Sequence, residues 1–246
     1  MTLRSHRVDE AVLRDLAPNG TVRAAINFGN SVLAQRDATS GEARGVSVDL
    51  ALELGRRLNV SVELLSFGAA GQVVEALRSG AWDITFLAID PARGAEILFT
   101  APYVLIEGAY MVRKDSPLRG ADEVDRDGVR VATGAGSAYD LFLERTLKHA
   151  RIERRATAAQ AFELLVDGSL DVAAGVRHVV DRYAQQHRGL RVLQPCFMVI
   201  EQAMGTPAGR EAGALYLADF VNEMKASGFI ADSLARSGHG DVVLAR

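Results

Sequence analysis

Cysteine is nearly missing from this chain. Cys196 stands alone among 246 residues, which excludes an intramolecular disulfide framework and a metal cluster built on cysteine. Histidine is sparse too. The five that occur are scattered, without HExxH or any paired spacing, so neither a metal site nor zinc chemistry is expected. Nowhere does the chain approach the roughly 20 consecutive apolar residues of a membrane helix, and no membrane insertion is expected. A basic surplus is also absent. Lys and Arg total 28 against 31 Asp and Glu, a formal net charge of −3, which argues against nucleic acid or an anionic membrane as the main partner. At the N-terminus, Arg4, His6, Arg7, Asp9, Glu10, Arg14 and Asp15 interrupt every apolar stretch before Pro18. A secretory leader needs an unbroken apolar run of about 7–15 residues. The residues as they stand therefore favour a cytoplasmic protein, the alternative being a leader already removed.

What is present is a chain able to bury a core, with 48% hydrophobic and 24% charged residues. Its length suits one large domain or two small lobes. Asp9 to Leu16 reads as a short helix stopped by Pro18-Asn19-Gly20. Val22 to Ile26 reads as a strand that opens into the loop 27–30. Val48 to Leu58 has helical apolar spacing ending at Asn59, and Val60 to Leu65 alternates like a strand. Gly71 to Arg78 predicts a helix, and Asp83 to Leu87 the next strand. Extended chain around Pro102 leads to a strand over 109–113. A second series follows: strand 129–132, the Gly-rich loop Gly134-Ala135-Gly136-Ser137, helix 138–149, helix 157–166, strand 170–174, helix 177–186 and strand 191–193. Extended chain over 198–204 and helices over 210–227 and 229–237 complete the chain. This strand–helix–strand rhythm predicts an α/β fold with parallel sheet. Ligands of such sheets bind at the carboxyl ends of strands, here loops 27–30, 88–93 and 133–139.

Several segments carry a resemblance. Gly45-Val46-Ser47-Val48-Asp49-Leu50-Ala51 resembles the GFDVDLA stretch of type II periplasmic solute-binding proteins, and Ala76 to Ile84 is similar to their ALxSGKxDI run. Asp90-Pro91-Ala92-Arg93 followed by Phe99-Thr100-Ala101-Pro102-Tyr103 looks like TPERxxxxxFSxPY. Val112 to Pro117 matches VRKDSP, and Val131 to Ser137 resembles VGVQxGS. These matches run in the family's order over nearly the whole chain. The resemblance implies a two-lobed α/β fold of the type II periplasmic-binding-protein kind, with a ligand cleft between the lobes. Residues 1–110 and 200–246 would form one lobe and 111–199 the other. It further implies the polar amino-acid-binding, extracellular solute-binding family 3, hence a periplasmic protein serving an ABC-transporter permease. That sits in tension with the missing leader. A monomer is expected.

In the amino-acid binders of this family the Arg of the TPER motif pairs with the ligand's α-carboxylate, and Arg93 holds that position. The chemistry fits, because guanidinium binds a carboxylate bidentately and stays charged at any working pH. The competing reading is a surface Arg that caps a loop or bridges Glu96. Two positions depart from the family pattern. Ala88 stands where a Ser or Thr usually donates to the carboxylate, and Val176 where an Asp usually meets the ligand's ammonium. Burying an ammonium without a counter-charge costs several kcal/mol. A carboxylate lacking the amine therefore fits better, unless Asp90 or Glu107 supplies the acid.

The loop at Gly134, Gly136 and Ser137 precedes a helix and offers an anion site at its N-terminus, or simply a turn with an N-cap. It is not a P-loop, since no Gly-Lys-Ser/Thr follows. Asn27, Phe28 and Asn30 open into the predicted cleft, where an aromatic can stack and amides can donate or accept. Tyr139 and Phe67 are candidate apolar walls, with core as the alternative. Glu201 and Gln202 lie near the second crossover, where polar residues face a cleft or fix a hinge.

The leading function is non-catalytic capture, without a cofactor, of a small carboxylate solute, amino-acid-like or organic acid, by lobe closure. The alternatives are a cyclohexadienyl-dehydratase-like enzyme, with Glu144, Glu107 or Glu201 as acid or base, and a cytoplasmic ligand sensor.

Overall fold

The computed structural model describes residues 8–245. The first residues of the leader reading, 1–7, and the outer ends of the segments 1–110 and 200–246 lie outside the described residues. In chain order the elements are α1 (Glu10–Leu16), β1 (Thr21–Asn27), β2 (Gln35–Arg36), β3 (Ala43–Arg44), α2 (Val46–Leu58), β4 (Ser61–Phe67), α3 (Ala70–Leu77), β5 (Ile84–Ala88), β6 (Ile97–Phe99) and β7 (Val104–Arg113). There follow β8 (Arg130–Gly134), α4 (Ala138–Thr146), β9 (Arg151–Arg155), α5 (Ala158–Val166), β10 (Val172–Val176), α6 (Arg177–Gln186), β11 (Leu190–Val192), β12 (Met198–Pro207), α7 (Glu211–Ala226), α8 (Phe229–Arg236) and β13 (Val243–Leu244).

The main sheet runs β4-β1-β5-β12-β7-β10-β8-β9. Its two ends are parallel, as the strand–helix rhythm predicts: β1 lies between β4 and β5, and β8 between β9 and β10. The centre is not parallel. The long strands β7 and β12 pair antiparallel with each other, and join the two parallel ends through β10 and β5. Along them the chain passes from one parallel end of the sheet to the other and back.

Local sequence explains most elements. In α2 the spaced residues Val46, Leu50, Ala51, Leu54 and Leu58 are buried, and the helix stops where Asn59 turns left-handed at φ 54°, a conformation that Asn tolerates better than most side chains. Trp82 is fully buried under α3 and its indole N–H donates to the Val73 carbonyl at 2.8 Å, so the large ring is covered without an unpaired donor. Asp83 follows it, also buried, and accepts from Arg23 and Arg210.

The sequence reading differs also in the second half of the chain. The helix expected over 138–149 ends at Thr146, because the Asp125 carboxylate accepts the N–H groups of Lys148, His149 and Ala150 and draws the chain away. The chain then enters β9, a strand that Arg-Ile-Glu-Arg-Arg conceals behind charge. It lies at the sheet's edge, where charged side chains block further pairing.

Candidate functional site

The loops that follow β1, β5 and β8 converge, and with Val176 and β12 they enclose a cavity of about 60 Å³. That is well below the roughly 300–1,000 Å³ of pockets for drug-sized molecules, so any occupant is small. Each parallel end of the sheet contributes strand carboxyl ends, as the α/β rule requires.

Arg93 is the charged side chain of this cavity. It follows β5 in a turn whose Asp90 carboxylate accepts the Ala92 N–H at 2.9 Å. Only 2% of the residue is exposed, so the reading as a surface Arg does not apply. One terminal nitrogen donates to the Ala88 carbonyl at 2.9 Å, and the other crosses the cleft to the Gly136 carbonyl at 2.7 Å. Its Nε is buried without a partner among the described residues. Burial lowers the guanidinium pKa to about 10, against the pull of the Asp90 carboxylate. The group therefore remains charged at neutral pH.

The Gly-rich loop is largely committed to the fold. The Ala135 N–H donates to the Arg155 carbonyl, the Gly136 N–H to Asp140, and the Ser137 N–H to the Gly134 carbonyl. Ser137 is the N-cap of α4, with its hydroxyl accepting the Asp140 N–H at 3.1 Å. The loop's own amides are thus not presented as an anion cradle. The first-turn amides of Ala138 and Tyr139 remain, at positions where a helix offers no acceptor. Gly134, Ser137 and Tyr139 line the cavity. The buried Tyr139 hydroxyl sits against Ser137 and the Gly134 backbone, and burial raises its pKa. Gly136 lies just behind, at φ +66°, and a Cβ there would come within 2.9 Å of the Gly71 Cα in α3. A Cβ on Gly71 would stand 2.6 Å from the Ala135 carbonyl oxygen. Backbone meets backbone across the cleft.

Asn27, Asn30, Ala88 and Val176 also line the cavity. Asn27 accepts the Gly29 N–H and Asn30 the Val32 N–H, so each carbonyl oxygen shapes its own loop. Several sequence candidates are not brought there. Phe28 turns away and lies under the Arg36 guanidinium, 4.5 Å from its ring centre. Asp90 is committed to Arg145 of α4 at 2.9 Å. Glu107 sits in a separate hinge-side groove, exposed and facing Arg177 and Cys196. Glu144 is paired with Arg154 on an exposed face, and Glu201 is exposed. Phe67 packs under α3.

Sequence reasoning did not select Gly68, Ala69, Ala70, Ala158 or Ile200, and mentioned Gln202 only as a hinge residue. The loop 68–70 follows β4, so the strand-end rule could have found it. Gln202 had a signal too. It alternates with exposed Glu201 in β12 and pairs with Ala88 of β5. The residue is 4% exposed. Among the described residues no group of three His, Cys, Asp or Glu side chains comes together to hold a metal ion.

The cysteine-binding protein of Campylobacter jejuni superposes with a TM-score of 0.80 at 16% identity, over 95% of this chain and 99% of that one. An ancestral amino-acid-binding protein, a precursor of cyclohexadienyl dehydratase, does so with a TM-score of 0.76 at 23% identity, over 92% and 99%. At such identities the likeness is one of fold. Over 150 residues the chain is 23% identical to the virulence sensor protein BvgS of Bordetella bronchiseptica, a match taking in 61% of this chain but 12% of that protein. The chain thus spans a small part of this relative's length. The sequence profile of the bacterial extracellular solute-binding proteins, family 3, matches residues 33–236, and the chain belongs to that family.

Proposed function

We propose that the chain captures a small carboxylate-bearing solute between its lobes and that Arg93 takes the carboxylate. The observation that carries this is a buried guanidinium in a cleft, bonded to two backbone carbonyls and to no acid, with Nε unpartnered. Holding a charge out of water is costly unless an opposite charge arrives to meet it. The lobes are 1–110 with 200–246, and 111–199, and they close about β7 and β12. Calorimetry on protein stripped of small molecules, with a panel of short carboxylates, tests the reading. Arg93→Ala should weaken binding about 100-fold, as loss of a charge-assisted pair does. Unchanged affinity would falsify the assignment.

The role is capture without catalysis. The acids suggested for a dehydratase, Glu107, Glu144 and Glu201, do not line the cavity. Incubation with prephenate or arogenate should yield no aromatic product. The family's description as extracellular supports a site of action outside the cytoplasm, where a monomer would deliver its ligand to an ABC-transporter permease. Among the described residues no helix is long and apolar enough to cross a membrane. A second reading, a sensor module, is favoured by the match to BvgS. Deleting the gene should abolish uptake of the ligand in the first case and leave uptake intact in the second.

A further inference from the structure

The cavity that holds Arg93 has an uneven chemistry. Among the described residues that line it there is no Asp and no Glu. Val176, at the carboxyl end of β10, forms an apolar part of the wall and is itself buried. The neighbouring acids are spent elsewhere. Asp90 is bound to Arg145, and Asp140 accepts from Thr133, the Gly136 N–H and Arg154. Glu107 faces Arg177 in the hinge-side groove. What the cavity offers instead is neutral. Gln202 lines it nearly buried, and among the described residues its side-chain amide has no hydrogen-bond partner. Asn27 and Asn30 add side-chain amides.

From this asymmetry we infer that the site selects small carboxylates whose α-substituent is neutral, a hydroxyl or an oxo group, and rejects the corresponding α-amino acids. The inference rests on Arg93 as the partner of the carboxylate. An α-ammonium entering here would lose its water and meet no carboxylate among the described lining residues, only neutral side chains and backbone, with the Arg93 charge close by to repel it. A hydroxyl or oxo oxygen has no charge to desolvate and can be met by the Gln202 amide, which both donates and accepts. Val176 is therefore the residue that excludes amines, and Gln202 the residue that reads the neutral group.

Matched pairs that differ only at the α-carbon test this: lactate, pyruvate and alanine; phenyllactate and phenylalanine; 2-hydroxyglutarate and glutamate. Each is titrated calorimetrically into the full chain after stripping, and into Val176→Asp and Gln202→Leu variants shown to be folded by their cooperative melting. In at least one pair the hydroxy or oxo acid should bind about 100-fold more tightly than the amino acid, the scale set by an unpaired buried charge. Val176→Asp should reverse the preference in that pair. Gln202→Leu should weaken the hydroxy acid about tenfold, as loss of a hydrogen bond to a buried group does, while leaving the matching acid without an α-substituent (propionate, 3-phenylpropionate or glutarate) unchanged. If the amino acid of a bound pair binds the native chain as well as its partner does, the inference fails and carboxylate capture stands. If no carboxylate binds the native chain, capture itself fails and takes the inference with it. Should Val176→Asp not fold, Val176→Asn and the native chain's own pairwise ratios decide the question.

Discussion

Asp83 and Arg93 are buried charges at opposite ends of β5, and the fold treats them in opposite ways. Asp83 is saturated. Arg23 donates to it through Nε and a terminal nitrogen at 2.9 and 2.8 Å, its backbone N–H adds a third bond, and Arg210 a fourth at 2.8 Å. Together these tie β1, β5 and the start of α7. Arg93 is left open, with two backbone carbonyls, no acid among its hydrogen bonds and a buried Nε without a partner. The lesson is that burial alone does not mark a site. A buried charge whose every bond is met inside the chain holds the fold, whereas one with capacity left over is prepared for something that comes from outside.

That contrast predicts a division of labour between stability and binding. Asp83→Ala should cost about 3–5 kcal/mol, because it strands two guanidinium groups, and should lower Tm by roughly 10 °C. Ligand affinity of the surviving folded fraction should stay near that of the native chain. If the melting temperature holds, Asp83 is not the anchor. Arg93→Met should do the reverse, with stability changed by about 1 kcal/mol or less and affinity down about 100-fold. Differential scanning calorimetry beside titration calorimetry separates the two effects, and a large drop in Tm for Arg93→Met would erase the distinction.

Acid should sharpen it further. Burial pushes the Asp83 pKa up, but Arg23, Arg210 and the backbone N–H outweigh it, so the net shift is below the ordinary 3.8. A carboxyl with a depressed folded value contributes stability above its unfolded pKa and loses it as pH falls through the folded one. Melting temperature should therefore fall as pH drops below about 3.8, and Asp83→Asn should flatten that limb of the curve. The smallest effect on affinity belongs to Arg145→Ala. The Arg145 side chain is 44% exposed but its partner Asp90 only 5%, so the variant leaves a buried carboxylate held by the Ala92 N–H and should cost about 1–3 kcal/mol of stability. Affinity should move only slightly. A loss as large as that of Arg93→Met would mean that the Asp90–Arg145 pair governs closure.

Much of the fold was legible because local signals agreed with one another. The apolar spacing of α2, its stop at Asn59 and the Ser-Gly break before β5 all name the same architecture. The three strand-end loops expected to surround a ligand do converge. What stayed hidden depended on distant partners. The early stop of α4 comes from Asp125, on the far side of β8, and β9 was masked by its edge-strand charges. Asp90 and Glu107 were plausible acids until Arg145 and Arg177, remote in sequence, claimed them. The Gly-rich loop looked like an anion cradle because sequence could not reveal that Asp140 and Arg155 take its amides. Gln202 lay within reach, since period-2 alternation beside exposed Glu201 places it inward.

The seam where Gly71 meets Gly136 has a consequence of its own. With no side chain on either face, the two halves come to rest on bare backbone, and the thickness of a single methyl group decides how far they approach. An alanine at Gly71 would act as a doorstop. It would touch no ligand, yet hold the jaws ajar, leave the captured molecule wetter and shorten its stay, so that retention would be set at a place remote from recognition.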